Sequence, residues 1–156
     1  MCKCLYCYRP LEKGEKDFHV KCARKFFGTE EVPVLDYTCE DLEKLAVQVI
    51  KDQTSLTGVQ PKLSLNLNEH EGSQRLTIVG LWGGFICKPQ TIQFKQMPET
   101  EDLTMHLAEL AKIDVVPHTL MRMADNSLCY LTKRIDRLSF GEKLAMEDMC
   151  QLTERQ

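Results

Sequence analysis

The chain has 156 residues, a formal net charge of −3 and eight cysteines. This length favours one domain with at most a small satellite, and 43% hydrophobic with 28% charged residues excludes disorder along the whole chain. No apolar run approaches the roughly 20 residues that span a bilayer, and the N-terminus lacks the apolar stretch of a secretory signal. We therefore expect a cytoplasmic protein with mostly reduced thiols.

Charge is distributed unevenly along the chain. Residues 1–27 carry seven basic and three acidic side chains, which gives +4 and leaves −7 for the remainder. A basic head on an acidic body predicts two units with different surfaces. The acidic body argues against a nucleic-acid track along it.

Two closely spaced pairs of metal-binding residue types lie in the basic head. Cys4-x2-Cys7 is followed by His19-x2-Cys22, and four such ligands are what a tetrahedral Zn²⁺ requires. A segment this small buries little apolar area, so binding of a structural metal would supply the free energy that keeps it folded. The alternatives are reduced thiols beside a surface histidine, or a disulfide framework, which a reducing compartment disfavours.

Two helices are predicted next. The first covers residues 19–27 and ends at Gly28, which suits the left-handed position after a helix. The second is capped by Thr38 with Asp41 as its box partner. Its apolar residues recur at helical spacing: Leu42, Leu45, Ala46, Val49 and Ile50.

Alternating and turn-forming residues then predict a sheet. After a polar, turn-rich segment at 55–62, strands are predicted over 63–67, 75–79 and 85–88, with a hairpin turn over 68–73 and a stop at Pro89. An acidic first turn at 98–102 begins a helix with leucines on one face, namely Leu103, Leu107 and Leu110, followed by Ala111.

The last predicted elements are a hairpin and a helix. Strands over 120–123 and 128–132 flank the turn at Asp125-Asn126, and a further helix is predicted from Leu144. Since hairpins link most strands, the fold class is α+β, a mainly antiparallel sheet with packed helices.

A lysine late in a predicted apolar strand requires a charged or polar partner. Lys88 holds that position, and Glu101 opens the following helix. A strand lysine paired with a helix glutamate is how protein kinases hold nucleotide phosphates. Taken singly, Lys88 also fits an edge-strand charge and Glu101 a first-turn acid.

Six short motifs between Ser55 and Gln151 resemble, in the same order, motifs of the HipA family of bacterial serine/threonine kinases, known from toxin–antitoxin systems. Residues 55–62, Ser-Leu-Thr-Gly-Val-Gln-Pro-Lys, resemble the family's Ser-x-x-Gly-x-Gln-x-Lys loop, and residues 86–89, Ile-Cys-Lys-Pro, resemble its lysine strand. The remaining similarities are to its Glu-x6-Ala helix at 101–108, its Val-Pro at 116–117, its Glu-Arg-Phe-Asp-Arg segment at 133–137 and its Glu-Asp-Met-Cys-Gln at 147–151.

The resemblance implies an ATP site in a protein-kinase-like N-lobe. The residues that would cover the phosphates are Thr57, Gly58, Val59, Gln60 and Lys62. Lys88 would bind them and pair with Glu101. The hinge facing adenine would be Lys133, Arg134 and Ile135. Ser55 would be the autophosphorylated serine whose modification ejects the loop and inactivates the kinase, since a phosphate there adds up to about two negative charges.

The resemblance also implies a division of the chain and a set of partners. The Cys/His knuckle would occupy 1–30, the ATP-binding lobe 31–143 and the start of a second lobe 144–156. No acidic residue stands in the context of the family's catalytic and Mg²⁺-binding aspartates, so we expect no phosphoryl transfer by this chain alone. Expected partners are the missing C-terminal lobe and a DNA-binding, HipB-like antitoxin, although the knuckle replaces the larger segment through which classical members contact it.

An apolar face near the C-terminus should meet the missing lobe and, if exposed, would promote homodimers. Its residues are Leu144, Met146, Met149 and Leu152. Two other functions stay open at this point. One is a non-catalytic regulatory or antitoxin-like module that binds a separate kinase. The other is a zinc-dependent nucleic-acid-binding protein that uses the basic head, although one finger-like unit offers little basic surface.

Overall fold

The computed structural model describes residues 2–42, 44–45, 62–70, 72–79, 83–91, 95–138, 142–147 and 152–153. The elements within them are α1 (Val20–Phe27), β1 (Leu63–His70), β2 (Ser73–Val79), β3 (Phe85–Pro89), α2 (Met97–Leu110), β4 (His118–Arg122) and β5 (Leu128–Lys133). The five strands form one sheet in the order β2-β1-β3-β5-β4, with every neighbouring pair antiparallel. The predicted α+β class with a mainly antiparallel sheet is confirmed.

The β1–β2 hairpin is longer than its hydrophobic alternation predicts. Pairing continues to His70 opposite Ser73, so the turn predicted over 68–73 is shorter than expected. Gly72 in this turn has φ +76°, a conformation that glycine adopts without steric cost. The amide of Asn68 donates to Thr77 Oγ1 at 2.5 Å. Polar cross-strand contacts of this kind extend the ladder beyond the apolar residues.

The two faces of the sheet differ in chemistry. Phe85 of β3 packs against Phe26 and Phe27 of α1, with ring centroids 6.0 and 6.4 Å apart. Side chains alternate along a strand, so Lys88 lies on the opposite face, where it is paired with Tyr130 of β5. The apolar face therefore meets α1, and the lysine faces the side on which α2 packs.

Helix α2 packs through its polar side. An apolar stripe ordinarily marks the packed face of a helix, yet the leucines of this stripe are exposed: Leu103 by 51%, Leu107 by 56% and Leu110 by 80%. The buried residues of the helix are Pro98 and Asp102. Charged side chains of the helix pair with side chains of the sheet. These pairings place the polar side of the helix against the sheet.

Residues 2–30, the N-terminal unit, share one hydrophobic core with the sheet. This core includes Phe26 together with Leu65 and Cys87. Polar contacts connect the unit to β4, since Thr119 Oγ1 donates to the carbonyl of Leu5 at 3.3 Å. The basic head and the acidic body are thus packed together. The division at 1–30, 31–143 and 144–156 stays a prediction.

The first two predicted helices, at 19–27 and after Thr38, begin where the sequence predicts. Helix α1 begins after His19 and ends at Gly28, which has φ +83° and donates its N–H to the carbonyl of Arg24. The N–H of Asp41 donates to Thr38 Oγ1 at 3.1 Å, and the N–H of Thr38 donates to Asp41 Oδ2 at 3.0 Å, which is the predicted capping box. The apolar stripe at 46–50 lies outside the described residues.

The helix predicted from Leu144 does not begin there. Residues 144–147 have no regular secondary structure, and the N–H of Leu144 donates to the carbonyl of Asp136 at 2.9 Å. Leu144, Met146 and Leu152 are exposed, as expected for the apolar face, whereas Met149 lies outside the described residues. Within the described part of the chain, no helix is long and apolar enough to cross a membrane.

Candidate functional site

The structure brings Lys88 of β3 and Glu101 of α2 together. The Lys88 ammonium pairs with Glu101 Oε1 and lies 5.5 Å from the centroid of the Tyr130 ring. The two paired side chains are 28% and 25% exposed, so the pair is partly accessible to solvent. Burial, together with the carboxylates of Glu101 and Asp102, raises the pKa of Tyr130.

The predicted phosphate loop is described at one end. Ser55 and the residues 57–60 lie outside the described residues. Lys62 is exposed and directly precedes β1, whose Leu63 pairs with Cys87 of β3. Lys62 therefore directly precedes the strand that neighbours β3, the strand of Lys88.

The predicted hinge residues follow β5 and differ in surroundings. Lys133 is paired with Phe85, and its ammonium lies 5.6 Å from the Phe26 ring, on the sheet face opposite Lys88. Arg134 is bound to Asp136 by two contacts, Nε to Oδ1 at 2.9 Å and Nη2 to Oδ2 at 2.6 Å. Ile135 is exposed. The side chain of Lys133 is therefore not brought to the Lys88–Glu101 pair.

Cys4, Cys7, His19 and Cys22 converge, with one ligand atom of each within 4.8 Å of the others. The Cys7 and Cys22 sulfurs lie 3.4 and 3.6 Å from His19 Nδ1. With metal bonds of about 2.3 Å to sulfur and about 2.0 Å to nitrogen, a tetrahedral zinc separates such ligands by about 3.5 Å. Cys4, Cys7 and Cys22 form no disulfide. The cluster fits a zinc-knuckle-like unit.

A second contact orients the histidine of this cluster. His19 Nε2 lies 2.9 Å from the carbonyl oxygen of Pro10, to which it donates. The proton on Nε2 leaves the lone pair of Nδ1 directed at the sulfurs. This is the outer hydrogen bond that histidine ligands of metals ordinarily make.

Burial and the neighbouring thiols oppose the ionisation of Cys22. Burial, the hydrogen bond with Cys7 and the charge of Cys4 raise the pKa of Cys22 to about 12. Burial also raises the pKa of Cys4, but backbone hydrogen bonds at His19, Tyr6 and Cys7 outweigh it and leave that pKa below its ordinary value. A cation at the centre would favour further thiolates.

A second cluster consists of Asp102, His106 and His118, none of which the sequence motifs predicted as a site residue. Asp102 is fully buried and accepts hydrogen bonds from the Tyr8 hydroxyl and, at 2.8 Å, from His118 Nδ1. Asp102 and His106 are four residues apart, a spacing that places both on one helix face and was readable from the sequence. His118 joins them only through the packing of α2 on β4.

Residues 54–156 match the family model described as HipA-like C-terminal domain. The match covers more than half of the chain, begins directly before Ser55 and contains both Lys88 and Glu101. The cluster of Cys4, Cys7, His19 and Cys22 precedes the matched range. No curated protein matches the chain.

Proposed function

The chain belongs to the HipA-like C-terminal domain family, and on that premise we propose that it forms the ATP-binding lobe of a HipA-like serine/threonine kinase. The ion pair between Lys88 and Glu101 carries the proposal. It joins a central strand to a packed helix, as the phosphate-holding pair of protein kinases does. We propose nucleotide binding for these residues and assign phosphoryl transfer to none of them.

The phosphate-covering role is assigned to Thr57, Gly58, Val59, Gln60 and Lys62. Sequence similarity supports the first four, and the exposed position of Lys62, directly before the strand that neighbours β3, supports the fifth. Ser55 is assigned as the autophosphorylation site on the same similarity. A phosphate there would compete with bound nucleotide for the same cations.

We assign adenine contact to the segment of Lys133, Arg134 and Ile135. The bidentate pair of Arg134 with the buried Asp136 supports this role because it holds the segment in one conformation. In this arrangement the segment's backbone and Ile135, rather than the Lys133 ammonium, would face the base.

We further propose that Cys4, Cys7, His19 and Cys22 bind one structural Zn²⁺. The sulfur–nitrogen distances, the free thiols and the oriented His19 ring support it. Four protein ligands complete a tetrahedral shell, so this ion would have a structural role. It would tie α1 to the preceding loop.

Nucleotide binding is tested by calorimetric titration of the 156-residue chain with Mg²⁺-ATP. We expect Lys88→Met to weaken binding by about 10- to 100-fold, since a charge-assisted contact contributes about 1.5–3 kcal/mol. The matched control is Lys44→Met, which removes a lysine from an exposed ion pair with Glu40 and should leave the affinity unchanged. No binding at millimolar nucleotide, or equal affinity of the Lys88 variant, would contradict the proposal.

A further inference from the structure

His106 and His118 lie between two carboxylates. His106 Nε2 is 3.4 Å from Asp102 Oδ2, and its Nδ1 is 3.3 Å from Glu109 Oε2. His118 Nδ1 is 2.8 Å from Asp102 Oδ1, and its Nε2 is 3.8 Å from Glu109 Oε1. The two rings are 4.7 Å apart. Each imidazole thus directs one nitrogen to Asp102 and the other to Glu109.

One atom of this arrangement is unsatisfied. His106 Nε2 is buried and has no hydrogen-bond partner. When Nδ1 donates its proton to Glu109, Nε2 of the neutral ring presents a lone pair to the Asp102 carboxylate. The Nε2 lone pair and the fully buried carboxylate are then two hydrogen-bond acceptors that face each other. This arrangement is unfavourable unless a positive charge lies between them. The charge is either a proton or a metal ion.

We propose that Asp102, His106 and His118 bind a divalent first-row transition-metal ion. Imidazole and carboxylate suit such ions. Metal bonds of about 2.0–2.1 Å place tetrahedral nitrogen and oxygen ligands about 3.4 Å apart, which equals the separation of His106 Nε2 and Asp102 Oδ2. His118 Nδ1 lies 2.8 Å from Asp102 Oδ1, a hydrogen-bond distance, so metal binding would replace its proton and move the two atoms apart by about 0.6 Å. Glu109, at the outer nitrogens, would orient both rings as an outer partner of the ligands.

The surroundings provide access to the site. A cavity of about 610 Å³ is lined by His106, Glu109 and His118 together with Arg9 and Lys21 of the N-terminal unit. The cavity thus reaches two of the three proposed ligand residues, whereas Asp102 is buried and does not line it.

Metal here would stabilise the packing of three parts of the fold. Asp102 and His106 belong to α2, His118 to β4, and Tyr8, which donates to Asp102, to the N-terminal unit. Asp102 directly follows Glu101. An ion bound at Asp102 would hold the helix turn that presents Glu101 to Lys88.

The test is a Co²⁺ titration of the reduced, metal-free 156-residue chain, followed by absorption. We expect two equivalents to bind, one with the thiolate-to-cobalt charge-transfer band of the cysteine cluster and one without it. His106→Gln should bind one equivalent and keep that band. The matched control is His70→Gln, at the histidine that neither metal proposal uses, and it should retain two equivalents.

The two metal proposals fail separately in this experiment. A wild-type chain that binds only the equivalent with the charge-transfer band would show that protons hold the histidine pair and would overturn the proposal. Retention of two equivalents by His106→Gln would also overturn it. Cys7→Ser should lose the band and keep the second equivalent, so a defect of the thiolate site leaves the second site measurable.

Discussion

Arg122 of β4 and Asp17 of the N-terminal unit, 105 residues apart in the chain, form a bidentate ion pair. The guanidinium Nε lies 3.0 and 3.2 Å from the two carboxylate oxygens, and Nη2 lies 2.9 Å from Oδ1. Bidentate geometry strengthens such a pair and fixes its orientation. The contact therefore holds the Cys/His unit beside β4.

This pair should stabilise the fold measurably. We expect a double-mutant cycle of Arg122→Met and Asp17→Asn to give a coupling energy of about 1 kcal/mol in urea unfolding. The control cycle uses the exposed pair of Arg24 and Glu30, whose side chains are 60% and 68% exposed and should couple weakly. Equal coupling in both cycles would show that the Arg122 contact has no special part in docking the unit.

Metal removal should destabilise the N-terminal unit. We expect Cys7→Ser to lose the thiolate-bound zinc and to lower the unfolding midpoint by at least about 10 °C, because structural zinc contributes folding free energy directly. Metal analysis and thermal melts provide the measurement. Cys2→Ser, at an exposed cysteine outside the cluster, is the control and should retain both metal and midpoint. An unchanged melt after chelation would contradict a structural role.

Acid should weaken the fold through Asp136. Hydrogen bonds from Arg134, and then the charges of Arg134 and Arg137, lower the pKa of Asp136 despite its burial. A carboxyl whose folded pKa is depressed stabilises the fold above its unfolded pKa of about 4, and this stabilisation is lost as pH falls through the folded pKa.

The measurement is urea unfolding from pH 7 down to pH 3. Asp136→Asn should lower stability at pH 7 and flatten the decline below about pH 4. Exposed Asp114 supplies the control, because Asp114→Asn should preserve most of that decline. Parallel curves for the wild type and Asp136→Asn would exclude Asp136 as a source of acid sensitivity.

Two leucines should differ in how much they contribute to the free energy of unfolding. Leu107 on α2 is 56% exposed, whereas Leu131 on β5 is fully buried. We expect Leu131→Ala to cost about 2–5 kcal/mol of unfolding free energy and Leu107→Ala less than about 1 kcal/mol. Chemical denaturation of both variants checks this. A large loss at Leu107 would indicate that the apolar stripe of α2 is covered in solution.

Local signals could be predicted because neighbours in sequence create them. The Thr38–Asp41 box and the end of α1 at Gly28 depend on residues within a few positions of each other. The Lys88–Glu101 pair was predicted from the order of motifs and is present. The extension of the β1–β2 hairpin was missed because polar cross-strand pairs carry no hydrophobic alternation.

Sequence patterns by themselves predicted the antiparallel α+β class and the approximate positions of the strands, and the Cys/His spacing predicted the convergence of Cys4, Cys7, His19 and Cys22. Only the tertiary structure decided which side of α2 faces the sheet and that His118 joins Asp102 and His106. The physical reason is that a buried charge must find its partner in space. The exposed leucine stripe shows that, on this helix, pairing the charges prevailed over burying the apolar face.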